Sequence, residues 1–150
     1  MSHAYHLGLP IWHHPDWSGE FLAADCRPEQ ALSGYCSVFN AVEGNTTFYG
    51  IPRTSTVQRW ARQTPPEFRF CFKFPRSISH QQALAHCGHD TRNFLETLAP
   101  LAERLGPLFL QLPPRFDAGG LAALTAFLDG LPGEFSYAVE VRHPVFFAKG

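Results

Sequence analysis

Five polar side chains at or near the carboxyl ends of short apolar runs are the residues of this chain best suited to chemistry. The runs cover residues 38–43, 68–74, 108–112 and 137–142, and their polar members are Glu43, Lys73, Gln111, Glu140 and Arg142. A carboxylate beside a lysine is the minimum for acid–base catalysis, because burial and charged neighbours can move such groups toward neutral pKa values. We expect Glu43 or Glu140 to be the acid–base group, Lys73 to be its electrostatic partner or an electrophile, and Arg142 to clamp an anion.

The same residues have a purely structural alternative. Glu43 with Lys73, or Glu140 with Arg142, would then be an ion pair that neutralises the interior of the fold. Gln111 would satisfy backbone groups instead of touching a ligand. A shared site is favoured because several runs carry a polar side chain to the same end.

The segment that follows Glu43 is dense in hydrogen-bonding groups. Asn45, Thr47 and Tyr49 come directly after Gly44, and such side chains suit the recognition of hydroxyl or phosphate groups. The alternative is a turn capped by its own side chains, which Asn and Thr often form.

An aromatic and histidine-rich stretch precedes this segment at residues 11–17. Trp12 and Trp17 are expected to form a stacking wall above the pocket, with His14 as a further acid–base group. Alternatively, the tryptophans belong to the core.

A second histidine cluster comprises His80, His86, Cys87 and His89. Its spacing matches no standard zinc pattern, so we expect no metal site. The chain has no nucleophile elbow, phosphate-binding loop or dinucleotide fingerprint, and the sequence does not indicate which cofactor, if any, is used.

The apolar runs are predicted to be strands that alternate with helices. We predict strands at residues 5–10, 37–42, 68–74, 108–112 and 137–141, and a loop at 45–49. Helices are predicted at 28–34, around Val57 and Trp60, from 90 to 105 with a kink at Pro100, and around Leu124. This alternation predicts a continuous parallel sheet, in which ligands bind at the carboxyl ends of the strands.

The third run shows which way its polar side chains point. Phe68, Phe70, Phe72 and Phe74 alternate with Arg69, Cys71 and Lys73, which is the two-residue period of a strand. The phenylalanines must face helices, so Lys73 faces the opposite side. The sheet either stays open or forms part of an eight-stranded barrel, and length alone favours the open sheet because barrels need about 250 residues.

Composition limits the classes of partner. The chain has 150 residues, 45% hydrophobic content and a formal net charge of −1, which fits a single domain spanning residues 1–150. Without a basic run, neither nucleic acid nor a membrane surface is an expected partner, whereas a small-molecule ligand is. The start lacks a signal-peptide pattern and the four cysteines form no paired motif, so we expect a cytoplasmic protein with reduced thiols. The oligomeric state is not indicated.

Four blocks of sequence also resemble a known family. They read VEGNTTFY at 42–49, FCFKFP at 70–75 followed by ISH at 78–80, LQLPP at 110–114, and VEVRHP at 139–144. In this order they resemble the YecE-like family, domain of unknown function family seventy-two. The resemblance extends from Gly8 to Gly150.

The resemblance implies an α/β fold of the TIM (β/α)8 barrel type. Its members are longer than this chain, which implies that the five strands are the first five of eight, in an incomplete barrel or truncated product. It supplies no activity. The residues that occupy its signature blocks are Glu43, Asn45, Thr47, Tyr49, Lys73, His80, Gln111, Glu140, Arg142 and His143.

Together, the residues and the resemblance predict a YecE-like TIM-barrel protein, and the leading hypothesis is an enzyme that acts on a small polar, sugar-like or phosphorylated substrate. One alternative is a noncatalytic protein that holds a ligand or partner at the barrel mouth. Another is a fragment that has no function because its barrel does not close.

Overall fold

A computed structural model describes residues 5–148 as five short parallel strands that alternate with helices. The strands are β1 (Gly8–Leu9), β2 (Ala41–Gly44), β3 (Arg69–Phe72), β4 (Leu108–Gln111) and β5 (Tyr137–Glu140). The helices are α1 (Ala31–Tyr35), α2 (Thr46–Tyr49), α3 (Thr54–Gln63), α4 (Gly88–Leu98) and α5 (Leu121–Asp129). A π-helical turn spans Ser77–Gln81, and 3-10 turns span Pro15–Trp17, Ala99–Arg104, Ala118–Gly120 and Pro144–Phe147.

The strands lie side by side in chain order, in two hydrogen-bonded groups. β1, β2 and β3 form one parallel sheet, and β4 and β5 form the other. Isolated parallel bridges join β3 to the β4 side, at Phe70 with Leu105 and at Lys73 with Phe109. Between these two bridges β3 advances by three residues and the segment opposite it advances by four. The opposite segment therefore has one extra residue, which is the geometry of a bulge. The predicted continuous sheet is therefore interrupted at this point.

The core lies on the face of β3 that carries the phenylalanines. All four phenylalanines are at most 1% exposed. Trp60 of α3 stacks on Phe70 and Phe72 with ring centroids 6.3 and 5.6 Å apart. Burial of such a side chain contributes about 1.5–3 kcal/mol, so this face fixes the orientation of the strand. The predicted alternation on β3 is confirmed.

The first two strands are joined by a tyrosine hydroxyl as well as by their own ladder. The Tyr35 oxygen accepts a hydrogen bond from the Leu9 amide at 2.6 Å and donates to the Ala41 carbonyl at 3.0 Å. Burial raises the pKa of Tyr35. The neutral hydroxyl therefore supplies both the donor and the acceptor that β1 and β2 need here.

Several predicted boundaries are wrong. The second strand begins at Ala41 instead of Ser37. The Phe39 ring stacks on Tyr35 at 4.8 Å, so that residues 36–39 fold back against the end of α1 and Val38 is 54% exposed. Helix α1 begins three residues after Pro28. The loop predicted after Gly44 contains one helical turn, α2. The kink at Pro100 is confirmed, since α4 ends at Leu98 and a 3-10 helix follows.

Gly44 at the end of β2 leaves space that the core uses. It lies opposite Phe72 in the β2–β3 register, and a Cβ atom at Gly44 would overlap the Phe72 ring. We expect Gly44→Ala to lower the free energy of unfolding by about 1–3 kcal/mol, because the ring must shift within a packed core. Chemical denaturation of the purified chain would measure this change.

Gly133→Ala is the matched control, because a Cβ atom there has no atom within 4 Å. We expect its free energy of unfolding to change little. Equal loss of stability in both variants would contradict the packing role assigned to Gly44.

Candidate functional site

The face of the strands opposite the phenylalanines carries the polar residues of interest. Glu43 pairs in register with Cys71, and Gln111 pairs with Glu140. Lys73 follows β3 and is bridged to Phe109 of β4. Residues paired in a parallel ladder point to the same side of the sheet. The structure thus aligns Glu43, Lys73, Gln111 and Glu140 along one face, near the carboxyl ends of four strands.

Lys73 extends over aromatic rings instead of meeting a carboxylate. Its Nζ atom lies 4.7 Å from the centre of the Phe48 ring and 5.4 Å from that of Phe109. Within residues 5–148 the ion pairs closer than 4.0 Å do not include Lys73. Glu43 and Lys73 therefore do not form the ion pair that was the structural alternative for these two residues. Contact with two ring faces stabilises the ammonium group by a cation–π interaction.

The backbone at Lys73 is held by the neighbouring segment. The buried Thr47 hydroxyl lies 2.6 Å from the Lys73 carbonyl oxygen and 3.1 Å from that of Gly44. The Phe74 amide donates to the Phe109 carbonyl at 2.9 Å. Thr47, predicted to touch a ligand, is instead occupied in linking the ends of β2 and β3, because its hydroxyl proton is used on the backbone.

Glu43 is the half-buried carboxylate of this face. Its neighbour across the ladder is the Cys71 thiol, whose pKa is raised by burial and, to a smaller extent, by the charge on Glu43. A thiol with a raised pKa stays protonated and is a weak nucleophile. Cys71 therefore lines the face as a neutral group, and Glu43 is the residue there that can accept a proton.

Glu140 is held by two partners. The Gln111 amide nitrogen lies 2.8 Å from each Glu140 carboxylate oxygen, and the Arg142 Nε atom lies 4.0 Å from one of them. The Glu140 and Arg142 side chains are 46% and 44% exposed. The Glu140–Arg142 ion pair proposed as the structural alternative is thus present, at the surface, where such pairs contribute little stability.

His80 reaches the site from the π-helical turn after β3. Its ring stands edge-on to Phe48 at 5.2 Å, and its Nδ1 atom lies 2.8 Å from the Ser79 hydroxyl. Its pKa is lowered, first by burial and then by four cations, which are Arg115, Arg76, Lys73 and Arg142. His80 is therefore mainly neutral at pH 7 and can both donate and accept a proton.

Sequence reasoning missed three residues of the site. Arg115 donates from Nη2 to the His80 carbonyl at 2.7 Å and thereby ties the loop after β4 to the π-helical turn. Arg76 is one of the cations that lower the pKa of His80, and the Phe48 ring contacts both His80 and Lys73. Arg76 and Arg115 each directly follow a signature block and Phe48 lies within one, which is the signal that could have found them.

Two predicted histidines serve as local caps. His14 Nδ1 lies 3.3 Å from the Asp16 amide and accepts its hydrogen bond, and His143 Nδ1 accepts from Val145 at 3.2 Å. Each interaction begins a 3-10 turn that starts with proline. We assign this structural role to the Nδ1 atoms of His14 and His143, and acceptance at Nδ1 leaves the Nε2–H of each ring as its remaining donor.

The aromatic residues near the start of the chain form a separate cleft beside the site. A cavity of about 410 Å³ is lined by Trp12, Tyr49, Asn45 and their neighbours. Trp12 also packs edge-on against Trp60 at 5.2 Å, so it belongs partly to the core. Tyr49 is 76% exposed, and the Asn45 amide donates to the Pro10 carbonyl at 3.4 Å. Trp17 packs on Phe21, away from this cleft.

The remaining histidine cluster forms no metal centre in the part of the chain that the structure describes. Across residues 5–148, no three His, Cys, Asp or Glu side chains are grouped closely enough to hold a metal ion. His89 contacts Asp90 at 3.5 Å, and the pKa of the buried Cys87 thiol is raised chiefly by burial. In the same range, no helix is long and apolar enough to cross a membrane.

Comparison with known proteins places the chain among relatives about twice its length. It is 52% identical over 145 residues to UPF0759 protein YecE of Escherichia coli K12, covering 97% of this chain and 51% of that protein. It is 25% identical over 119 residues to UPF0759 protein YunF of Bacillus subtilis, covering 75% of this chain and 41% of that protein. The chain thus spans about half the length of the curated relatives it matches.

Solved structures give the same relationship. A DUF72 family protein from Thermotoga maritima matches with a TM-score of 0.79 and 29% identity, covering 96% of this chain and 58% of that one. Another from Enterococcus faecalis matches with a TM-score of 0.73 and 28% identity, covering 95% and 52%. The family model described as protein of unknown function DUF72 matches residues 6–150. The chain therefore belongs to the DUF72 family.

Proposed function

We propose that this chain binds a small anionic molecule, phosphorylated or carboxylated, at the carboxyl ends of β2 to β5. The observation that carries the proposal is the setting of His80, whose carbonyl accepts a hydrogen bond from Arg115 at 2.7 Å and whose ring packs on the Phe48 ring that Lys73 also contacts. The charges of Arg115, Arg76, Lys73 and Arg142 all lower the pKa of His80. Among residues 5–148, only Arg142 of these four has a carboxylate within 4.0 Å. Cations gathered without counter-charges attract an anion, and a planar guanidinium can bind phosphate or carboxylate through two hydrogen bonds.

We further propose that the fold to which the chain contributes is a TIM barrel. Five parallel strands in chain order, separated by helices, are what the first five units of such a barrel would supply. The relatives are about twice as long, which leaves room for three further units. In TIM barrels, the active site is built at the carboxyl ends of the strands, which is where Glu43, Lys73 and Glu140 lie. The four free cysteines fit a reducing compartment such as the cytoplasm.

Within this site we favour Glu43 over Glu140 as the acid–base group. Glu140 is already engaged by Gln111 and Arg142, whereas Glu43 is half-buried beside a protonated thiol. Arg142 and Gln111 would orient the anion, with Lys73 as a further cation on the same face. An enzyme acting on a small phosphorylated or sugar-like substrate is the function that these roles fit best.

The second candidate is a binding protein without catalysis. It is favoured by the cleft of about 410 Å³ that Trp12 and Tyr49 line, because aromatic walls can hold a ring-shaped ligand without reacting with it. A screen of phosphorylated and carboxylated metabolites separates the two candidates. Turnover supports the enzyme, and stoichiometric binding with no product supports the binding protein.

Anion binding is testable with inorganic phosphate as the probe. We expect Arg142→Gln to weaken phosphate binding about tenfold, because one charge-assisted hydrogen bond contributes about 1.5–3 kcal/mol. Its melting temperature should stay close to that of the original chain, since the Glu140–Arg142 pair is exposed. Isothermal titration calorimetry would measure the affinity.

The control for this test is Arg59→Gln, which removes the same charge from the exposed surface of α3. It should leave the phosphate affinity unchanged. If both variants lost affinity equally, the effect would come from net charge alone. If the original chain bound no phosphate at all, the proposed anion site would be wrong.

The lowered pKa of His80 predicts a pH dependence of stability. The unfolded chain takes up a proton at His80 near pH 6.5, and the native chain does so only at lower pH. The unfolded state thus binds more protons within this window, so His80 lowers the free energy of unfolding as the pH falls below about 6.5. We expect His80→Gln to lose less stability than the original chain as the pH drops from about 7.5 to 5.

Urea unfolding across this pH range would measure the difference between the two proteins. His6→Gln is the control, because His6 is exposed and should leave the pH dependence of the original chain intact. An identical loss of stability in the original chain and in His80→Gln would show that the cations do not act on His80 as described.

A further inference from the structure

We propose that Lys73 is a nucleophile that forms an imine with the carbonyl carbon of a small aldehyde or ketone carrying an anionic group. The inference rests on the proposed anion site and adds to it a covalent step and a substrate class. It begins from the observation that the Nζ atom of this lysine, which follows the end of β3, lies over the rings of Phe48 and Phe109.

The choice of lysine at this position is unusual for this chain. Of its 12 basic residues only Lys73 and Lys149 are lysines, and the rest are arginines. Arginine is the better anion ligand and stays charged under all ordinary conditions. A position that needs only positive charge can be occupied by arginine, as positions 76, 115 and 142 are in this chain. A primary amine is needed when the nitrogen itself must react.

The surroundings of the amine suit a nucleophile. Nζ contacts the faces of Phe48 and Phe109, and no carboxylate of residues 5–148 lies within 4.0 Å of it. A salt-bridged lysine, by contrast, would have to break an ion pair before attacking a carbonyl.

The main chain at Lys73 is fixed before a ligand arrives. The Thr47 hydroxyl bonds the Lys73 carbonyl at 2.6 Å, and the next amide, that of Phe74, bonds the Phe109 carbonyl at 2.9 Å. The side chain therefore projects from a rigid base. Holding a nucleophile in place before reaction removes much of the entropic cost of bringing two reactants together.

Two groups that can transfer protons share structural neighbours with Lys73. His80 packs against the same Phe48 ring as Lys73, and Glu43 lies on the same face of the neighbouring strand. Imine formation requires a proton to leave the nitrogen and protons to reach the departing oxygen. A neutral imidazole and a carboxylate can exchange protons in this way.

The step balances without any further reactant. The Lys73 ammonium first gives up a proton, and the Nζ lone pair then forms a bond to the carbonyl carbon. The nitrogen loses a second proton while the oxygen gains one, which gives a carbinolamine. A second proton on that oxygen lets the C–O bond break and water leave, and the nitrogen loses its remaining proton to Glu43 or His80. The net change is amine plus carbonyl compound to imine plus water.

The guanidinium groups define the other end of the substrate. Arg115 donates to the carbonyl of His80, and Arg142 lies 4.0 Å from Glu140 on the face that carries Lys73. A carbonyl compound bound at Lys73 would therefore present a phosphate or carboxylate toward them. Uncharged aldehydes would lack this contact and should react more slowly.

Reductive trapping tests the proposal on the unmodified 150-residue chain. The chain is incubated with glyceraldehyde 3-phosphate and cyanoborohydride, which converts an imine to a stable secondary amine, and the modified residue is located by peptide mass spectrometry. Lys149 and the amino terminus are internal references for nonspecific labelling. We expect Lys73 to be labelled about tenfold faster than either, and the advantage to shrink with uncharged glyceraldehyde.

Lys73→Arg supplies the matched variant. It keeps the positive charge at this position and should lose the label, because a guanidinium group does not form an imine under these conditions. Labelling of Lys73 no faster than Lys149 in the original chain would overturn the imine proposal, whether or not the variant folds. Phosphate binding without selective labelling would leave the anion site standing, whereas selective labelling without phosphate binding would leave the imine standing and refute the anion site.

Discussion

The burial of four phenylalanines on one face of β3 is the constraint on which the rest of the structure depends. Because side chains alternate along a strand, the residues between them must face the other way, and Lys73 cannot turn toward the core without exposing Phe72 and Phe74. Losing that burial would cost several kcal/mol. The packing of the phenylalanines therefore determines which way Lys73 points, and the surrounding loops determine which side chains it contacts.

Those neighbours come from different segments of the chain. Phe48 arrives on the helical turn after β2, His80 on the turn after β3, and Arg115 on the loop after β4. Each loop is tied to another by a specific contact, as Arg115 is to the His80 carbonyl. The result is a basic, partly aromatic surface at one end of the strands. The DUF72 family, to which the chain belongs, is described as one of unknown function. The chain covers about half the length of its relative YecE.

How much was predictable from the sequence differs between strands and loops. The period of β3 identified its buried face and the direction of Lys73, because a strand buried on one side leaves a regular pattern. The turn that holds His80 left no such pattern, since a π-helical turn depends on hydrogen bonds across five residues and on contacts with Arg115. Val38 misled the prediction of β2 because its apolar side chain remains exposed when Phe39 stacks on Tyr35. The role of Thr47 depends on a contact between residues 26 positions apart, which local sequence does not reveal.

The Thr47 contact has a consequence for the thermodynamics of ligand binding. One hydroxyl contacts the carbonyls of both Gly44 and Lys73, and it thereby links the segments that leave β2 and β3. A ligand that meets Glu43 and Lys73 together would not have to order either segment. The conformational entropy of these loops is lost during folding, and little remains to be lost on binding.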